Sequence, residues 1–301
     1  MEHPGRLLAS RPTKTITSLL GAGCLLMHIV GAEPPTVLFP ALPNGKSCQS
    51  AVVPMSGSGE PVLVTVVMPG ANPAAPSLRD GDRQITARAI GHDPTSRLGF
   101  LRAGQSAGLA PVEWLADSSN SPGTSLRATV NGKAVQCEVK GWVKKVGGKV
   151  LPLALLQVNF EGPVPPPGTP LMDSRNRVAA LFFQGSGGDG SGYAIPVEAV
   201  HRVRRDIMQG GEPVRGWLGL TLSSESRTAR VVRVLTDSPA ALAGVMPGDI
   251  LLAVGNRPVA DYADVANAFF YLSPGEPTRL RLKRGTLTMD LAVTPTRPQR
   301  E

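Results

Sequence analysis

Between Pro35 and Arg205 the apolar residues come in short, β-branched runs broken by turn residues: "SAVVP", "PVLVTVVMP", "RQITARAIG", "SLRATV", "AVQCEVKGWV", "PLALLQVNF", "RVAALFFQG" and "SGYAIP". Runs of this length, closely spaced, predict the strands of a barrel or sandwich. From Val214 to Pro298 the pattern changes. "WLGLTLS", "RVVRVL", "DILLAVG", "TRLRLKRG" and "LTMDLAVTP" alternate as strands and enclose two helical segments, "SPAALAGV" and "DYADVANAFFYL". Ser238 caps the first helix with Pro239 behind it, and Gly244 closes it, the Pro-first, Gly-last order of a short helix. The boundary falls at "MQGGEPVRG", Met208 to Gly216, after a short basic helix.

Composition supports this division. Of 301 residues, 42% are hydrophobic and 18% charged, which suits packed domains, and 34 Gly with 29 Pro favour strands and turns over long helices. The net charge of +8 admits an anionic partner, but the basic residues are scattered. The tight cluster "RLRLKRG", Arg279 to Gly285, alternates like a strand with one wet face, so no nucleic acid is expected.

The N-terminus sets Arg6, Arg11 and Lys14 before the apolar run "ITSLLGAGCLLMHIV", with Val30 and Ala32 at small-residue cleavage positions. A signal peptide over residues 1–32, removed after Ala32, is expected, and with it a periplasmic or secreted protein. An uncleaved N-terminal anchor is the alternative, since the run is just short of the ~20 residues that span a bilayer. Cys24 is a poorer lipoprotein site, because Gly21 stands where a larger aliphatic residue is usual. Export would leave Cys48 and Cys137, either as two buried thiols or as a disulfide. Neither has a second ligand at metal spacing, so no metal and no cofactor are expected.

"GWLGLTL", "DSPAALAGVMPGDILLAVGNRPVADYADVANAF" and "LTMDLAV" resemble the PDZ domain of HtrA-like bacterial proteases, the segment Ala243 to Leu251 most specifically. The resemblance implies an α+β PDZ domain over residues 212–298. Its groove would take an extended peptide as an added strand. The backbone N–H groups of Trp217, Leu218, Gly219 and Leu220 would hold a C-terminal carboxylate, with Gly219 allowing close approach. On the helix from Asp261 to Leu272, the spacing assigns Val265, Phe269 and Leu272 to the core. Ala266 and Phe270 are the pocket candidates, with burial of Phe270 the competing reading.

"SLRDGDRQITARAIGHDPTSRLGFLRAG" and "PGTPLMDSRNRVAALFFQGSGGDGSGYAIPVEAV" resemble the protease domain of the same family, here over residues 35–207. In that family an Asp-Pro is followed three residues on by the catalytic Asp-Leu; here Asp93-Pro94 leads to Arg97-Leu98. Anchored on Pro170-Leu171, the family's Gly-Asn-Ser falls on Pro165, Pro166 and Pro167, and the position of the catalytic His falls on Thr65. Proline has no N–H to offer an oxyanion. The resemblance therefore implies a mainly β protein, a degenerate trypsin-like double β-barrel followed by one PDZ domain, and a chain that is not an enzyme.

Other motifs are weaker. "GSGGDGSG", Gly185 to Gly192, lacks the Gly-Lys-Ser/Thr ending of a phosphate loop and precedes a strand, as a hairpin loop would. His92 reads as a surface residue and His201 as part of the basic helix. A triad rebuilt on Ser186 or Ser191 keeps open an active serine endopeptidase. The sequence thus predicts an exported, non-catalytic protein that binds C-terminal or extended peptides of envelope proteins, with a homo-oligomer or a partner HtrA-type protease as further possibilities.

Overall fold

The computed structural model describes residues 33–56, 60–104, 107–117, 120–188, 190–224 and 226–298. The expected leader, its cleavage site and Cys24 lie outside these residues. Among the described residues no helix is long and apolar enough to cross a membrane.

Seven strands form the first sheet: β1 (Thr36–Phe39), β2 (Cys48–Met55), β3 (Val62–Val66), β4 (Ser77–Asp80), β5 (Arg83–Ile85), β6 (Ala87–His92) and β7 (Leu98–Ala103), in the order β5-β4-β1-β2-β3-β7-β6. All seven send side chains into one core, including Val37, Val52, Leu63, Leu78, Ile85 and Leu101, with Ala87 packed against it. The run "RQITARAIG" is two strands rather than one, because the chain breaks at Thr86 between β5 and β6.

The second sheet is a closed barrel, β10-β13-β12-β11-β8-β9. Its strands are β8 (Ser125–Val130), β9 (Lys133–Val146), β10 (Lys149–Phe160), β11 (Pro170–Met172), β12 (Val178–Gly185) and β13 (Ser191–Pro196). Closure removes both edges. Gly185 pairs with Gly192 across β12 and β13, so the glycine-rich stretch is the hairpin loop that the sequence predicts.

Helix α1 (Val197–Gly210) follows. It lays Ala199, Val200, Val203 and Ile207 on a core built from the facing sides of the first sheet and the barrel, Val53, Val64, Phe100, Leu181 and Ile195 among them. This explains why every residue of β3 is buried. Leu63 points into the first barrel, while Val62, Val64 and Val66 point at the interface, the two-residue period of a strand covered on both sides.

The remaining elements are β14 (Leu220–Leu222), β15 (Val231–Val234), α2 (Pro239–Leu242), β16 (Ile250–Val254), β17 (Arg257–Pro258), α3 (Tyr262–Phe270), β18 (Thr278–Arg284) and β19 (Leu287–Val293). They share a separate core that includes Leu218, Val231, Val265, Leu272, Leu280 and Leu282. Ser238 accepts from Ala241 N–H as the cap of α2, and Asp261 accepts from Asp264 N–H as the cap of α3. Asp249, from the most specific stretch of the PDZ resemblance, is 1% exposed and takes both forks of Arg284 at 2.8 Å. On β18, Leu280 and Leu282 are buried while Arg279, Arg281 and Lys283 are exposed, so the basic cluster is a wet strand face.

Cys48 and Cys137 are free and sit in separate cores, so the two remaining thiols do not form the disulfide. Burial alone pushes the Cys137 thiol up to about 12.

Candidate functional site

Thr65 and Pro167 meet on Ala51 of β2, where the proline loop of the barrel rests on the first sheet, and Arg97 is bonded to Val67, two residues beyond Thr65. Thr65 is fully buried on β3, and its hydroxyl donates to the Ala51 carbonyl at 2.7 Å. The Ala51 N–H donates to the Pro167 carbonyl at 2.7 Å. Gly168 holds φ at +81°, and a Cβ there would lie 2.3 Å from the Ala51 carbonyl oxygen, so only glycine lets the proline loop rest on β2. Arg97 has φ +64°, a conformation seldom adopted outside glycine. Its N–H donates to the Asp93 carbonyl, and its own carbonyl accepts from Val67 N–H, both at 2.8 Å.

Asp93 is 1% exposed. It accepts from the backbone of Thr95 and Ser96, from the Ser96 hydroxyl and from Arg215, which arrives from the segment leading into β14. The Asp-Pro motif thus ties the first barrel to the chain's second half. His92, its neighbour, is partly buried, not a plain surface residue, and its Nε2 is shut off from water without a partner. Burial holds its pKa below the usual histidine value, Asp93 opposing and Arg97 assisting. His201 Nε2 lies 2.7 Å from the Leu115 carbonyl, and the Ser186 and Ser191 hydroxyls bond to each other at 2.6 Å. The described residues hold no His/Cys/Asp/Glu group arranged for a metal.

The second place is the outer edge of β14. Its sheet has two strands, so one edge is unpaired. Leu235 N–H donates to the Gly219 carbonyl, and Leu220 pairs with Val234 in the next register position. Leu220 therefore occupies a non-hydrogen-bonded position and turns its N–H to the open edge. The N–H of Leu218 has no backbone acceptor among the described residues. Trp217 departs from the expectation: it exchanges bonds of 2.7 and 3.0 Å with Thr296, and its N–H is not available. Gly219 departs from it in cause. Its φ is +75°, and a Cβ would fall 2.2 Å from Ser238 Cβ, so the close approach is to the cap of α2.

Val265 of α3 and Leu272, two residues beyond its end, are buried in this module's core and Phe269 packs against it, as the spacing predicts. Ala266 is half-buried. Phe270 turns the other way, 3% exposed in the core shared with the barrels, with the Arg215 guanidinium 4.2 Å above its ring. It is a docking residue, the competing reading, because α3 packs its far side on β10.

The docking is largely polar and was not legible in the sequence. Arg202 and Asp206 of α1, 4% and 7% exposed, form a buried ion pair. Arg202 also donates to the Val214 and Leu272 carbonyls at 2.8 and 2.7 Å and to the Tyr271 carbonyl at 3.3 Å. Asp206 accepts from Val214 N–H at 2.8 Å. The guanidinium thus meets the carbonyls at the C-terminal end of α3, where positive charge is favoured. Further along, Lys144 pairs with Asp264, Lys145 with Asp261 at 3.4 Å, and Asn267 accepts from Ala154 N–H at 3.0 Å.

A family profile for the PDZ domain matches residues 230–284. Among curated proteins, a DegP-like periplasmic serine endoprotease of Ectopseudomonas mendocina is 26% identical over 238 residues, 72% of this chain and 50% of the relative. Its counterpart in Chlamydia trachomatis is 28% identical over 73% of this chain and 48% of its own length. The chain spans about half the length of these relatives. Among solved structures, the HtrA-type protease AlgW with a tripeptide aligns at a TM-score of 0.64 and 21% identity, covering 90% of this chain and 96% of that one. The serine endoprotease from Yersinia pestis aligns at 0.56 and 19%, covering 90% and 96%.

The expectation, drawn from Thr65, Arg97 and Pro167, that the chain is not an enzyme is overturned by these relatives, which are named serine endoproteases. Three positions in one motif alignment do not exclude a nucleophile elsewhere in a chain that retains serines and histidines. The architecture is that of the HtrA-type proteases, a trypsin-like β fold carrying a PDZ domain.

Proposed function

We propose that the chain is an exported HtrA-type protein that takes up C-terminal or extended peptides of envelope proteins along the open edge of β14. Residues 35–207 form its protease-type domain and residues 212–298 its peptide-binding domain. The observation that carries this reading is the unpaired edge with Leu218 and Leu220 N–H groups uncommitted beside Gly219. Edges of this kind accept an added strand, and backbone donors accept a terminal carboxylate. Ala266, half-buried on α3, is the remaining candidate for the pocket wall. The AlgW structures with bound peptide and the periplasmic names of the relatives support both the ligand class and the compartment.

Calorimetry with one apolar-ended peptide, as free acid and as amide, tests the reading. Charge-assisted hydrogen bonds are worth about 1.5–3 kcal/mol each, so amidation is expected to weaken binding at least about tenfold. Equal affinities would move recognition to internal segments. The protease names of the relatives make casein turnover and fluorophosphonate labelling the accompanying assay, with the labelled residue mapped by mass spectrometry.

A further inference from the structure

Three arginines lie toward one end of the first sheet, and among the described residues none of them has a carboxylate partner. Arg88 on β6 and Arg102 on β7 are direct partners in the antiparallel ladder, so their side chains leave the sheet on one face. That face is the α1 side, because Leu98 and Phe100, at alternate positions before Arg102, pack in the core beneath α1. Arg204 comes from α1 to the same end and donates to the Ser56 carbonyl. Ser56 follows Met55, which pairs with Val62, which in turn pairs with Arg102.

The arrangement is electrostatically uncompensated. Like charges directly opposite in a ladder repel, and among the described residues no ion pair reaches Arg88, Arg102 or Arg204. The Nε atoms of Arg102 and Arg204 are also closed off from water without an acceptor, a costly state for a charged donor. By contrast Arg177, Arg202, Arg281 and Arg284 are each matched by an aspartate.

We propose that Arg88, Arg102 and Arg204 form a binding site for a phosphate group, either free or as the monoester headgroup of a lipid. Guanidinium forks match phosphate oxygens two at a time, and a dianion with three peripheral oxygens can engage more than one fork. A single carboxylate would leave part of the positive charge unmatched. The site opens on β6, an edge strand, where Arg88 is exposed.

The test uses the full chain, with inorganic phosphate in calorimetry and vesicles of phosphatidic acid or of phosphatidylcholine in co-sedimentation. Among the described residues no side-chain bond of Arg88 holds the fold together, so Arg88→Gln is expected to keep the structure and, in chloride buffer, to raise the thermal midpoint by removing the like-charge pair. The same variant is expected to weaken phosphate binding about tenfold, as loss of a charge-assisted bond does, and Arg102→Gln is expected to do likewise. Arg279→Gln, on the exposed face of β18, leaves binding unchanged. Loss of phosphatidic acid binding with Arg88→Gln identifies the headgroup as the source, and an effect on inorganic phosphate alone identifies the free anion. Absence of binding in both arms, or binding indifferent to Arg88→Gln and Arg102→Gln, overturns the site.

Discussion

The cleft between the barrels and the edge of β14 use their backbone in opposite ways. In the cleft, the Thr65 hydroxyl and the Pro167 carbonyl are both committed to Ala51, and the N–H and carbonyl of Arg97 are committed to Asp93 and Val67. At β14, an unpaired edge runs beside N–H groups of Leu218 and Leu220 that the fold leaves unused. Buried polar groups are nearly always satisfied, so closed networks report stability and open ones report recognition. The difference makes separate statements about what substitutions in each region should change.

The largest effect is expected at the network that joins the two regions. Arg202→Met removes the cation from the buried pair with Asp206 and withdraws donors from the Val214, Tyr271 and Leu272 carbonyls. Breaking one side of such a pair costs about 3–5 kcal/mol. An unfolding free energy lowered by that amount is expected from denaturation curves; an unchanged one would show that the two halves do not depend on this docking. Next is Gly219→Val, whose branched side chain would have to occupy the space of Ser238 at positive φ. Overpacking of this kind costs about 1–3 kcal/mol, and the left-handed backbone adds about 1–2 kcal/mol. Both thermal midpoint and peptide affinity should fall together. Loss of affinity at an unchanged midpoint would mean that Gly219 serves the ligand directly and not the cap of α2.

Thr65→Val sharpens the contrast from the other side. It keeps the volume and β-branching of the side chain but deprives the Ala51 carbonyl of its 2.7 Å bond inside a dry core. Leaving a buried acceptor unmatched costs about 1–3 kcal/mol. Stability should drop while the affinity of a free-acid peptide, measured by calorimetry, stays constant. A parallel fall in affinity would tie the cleft to the groove.

Much of this fold was legible in local pattern. The strand runs from Ser50 to Pro196, the caps of α2 and the alternation of β18 all follow from two-residue and helical periods that each segment expresses by itself. Long-range pairings were not. Arg202 looks like one more solvated charge in "HRVRRD", and only the tertiary fold reveals that the C-terminal end of α3 comes to rest on it. Phe270 and Phe269 are adjacent in sequence, and the helical period cannot say which of two cores each will enter once both sides of α3 are covered. Trp217 belonged to a recognisable loop, but its N–H went to Thr296, a residue outside that motif.

The smallest effect concerns His92, beside the Asp93–Arg215 link. Its pKa is lowered in the fold, chiefly by burial, with Arg97 adding to and Asp93 opposing the shift. In the unfolded chain it returns to the ordinary histidine value near 6.5. As pH falls through that value, the unfolded state takes up a proton that the folded state refuses, so stability declines with falling pH until the folded pKa is reached. Above the unfolded value the residue contributes no slope. Its Nε2 has no partner to lose, so His92→Gln should leave stability nearly unchanged at about pH 8 and flatten the decline toward about pH 5, the range in which histidine titrates. Urea midpoints of the two proteins across that range isolate this residue, since every other group is common to both. Parallel curves would mean that the imidazole accepts its proton as readily folded as unfolded, and the link between Asp93 and Arg215 would then be indifferent to it.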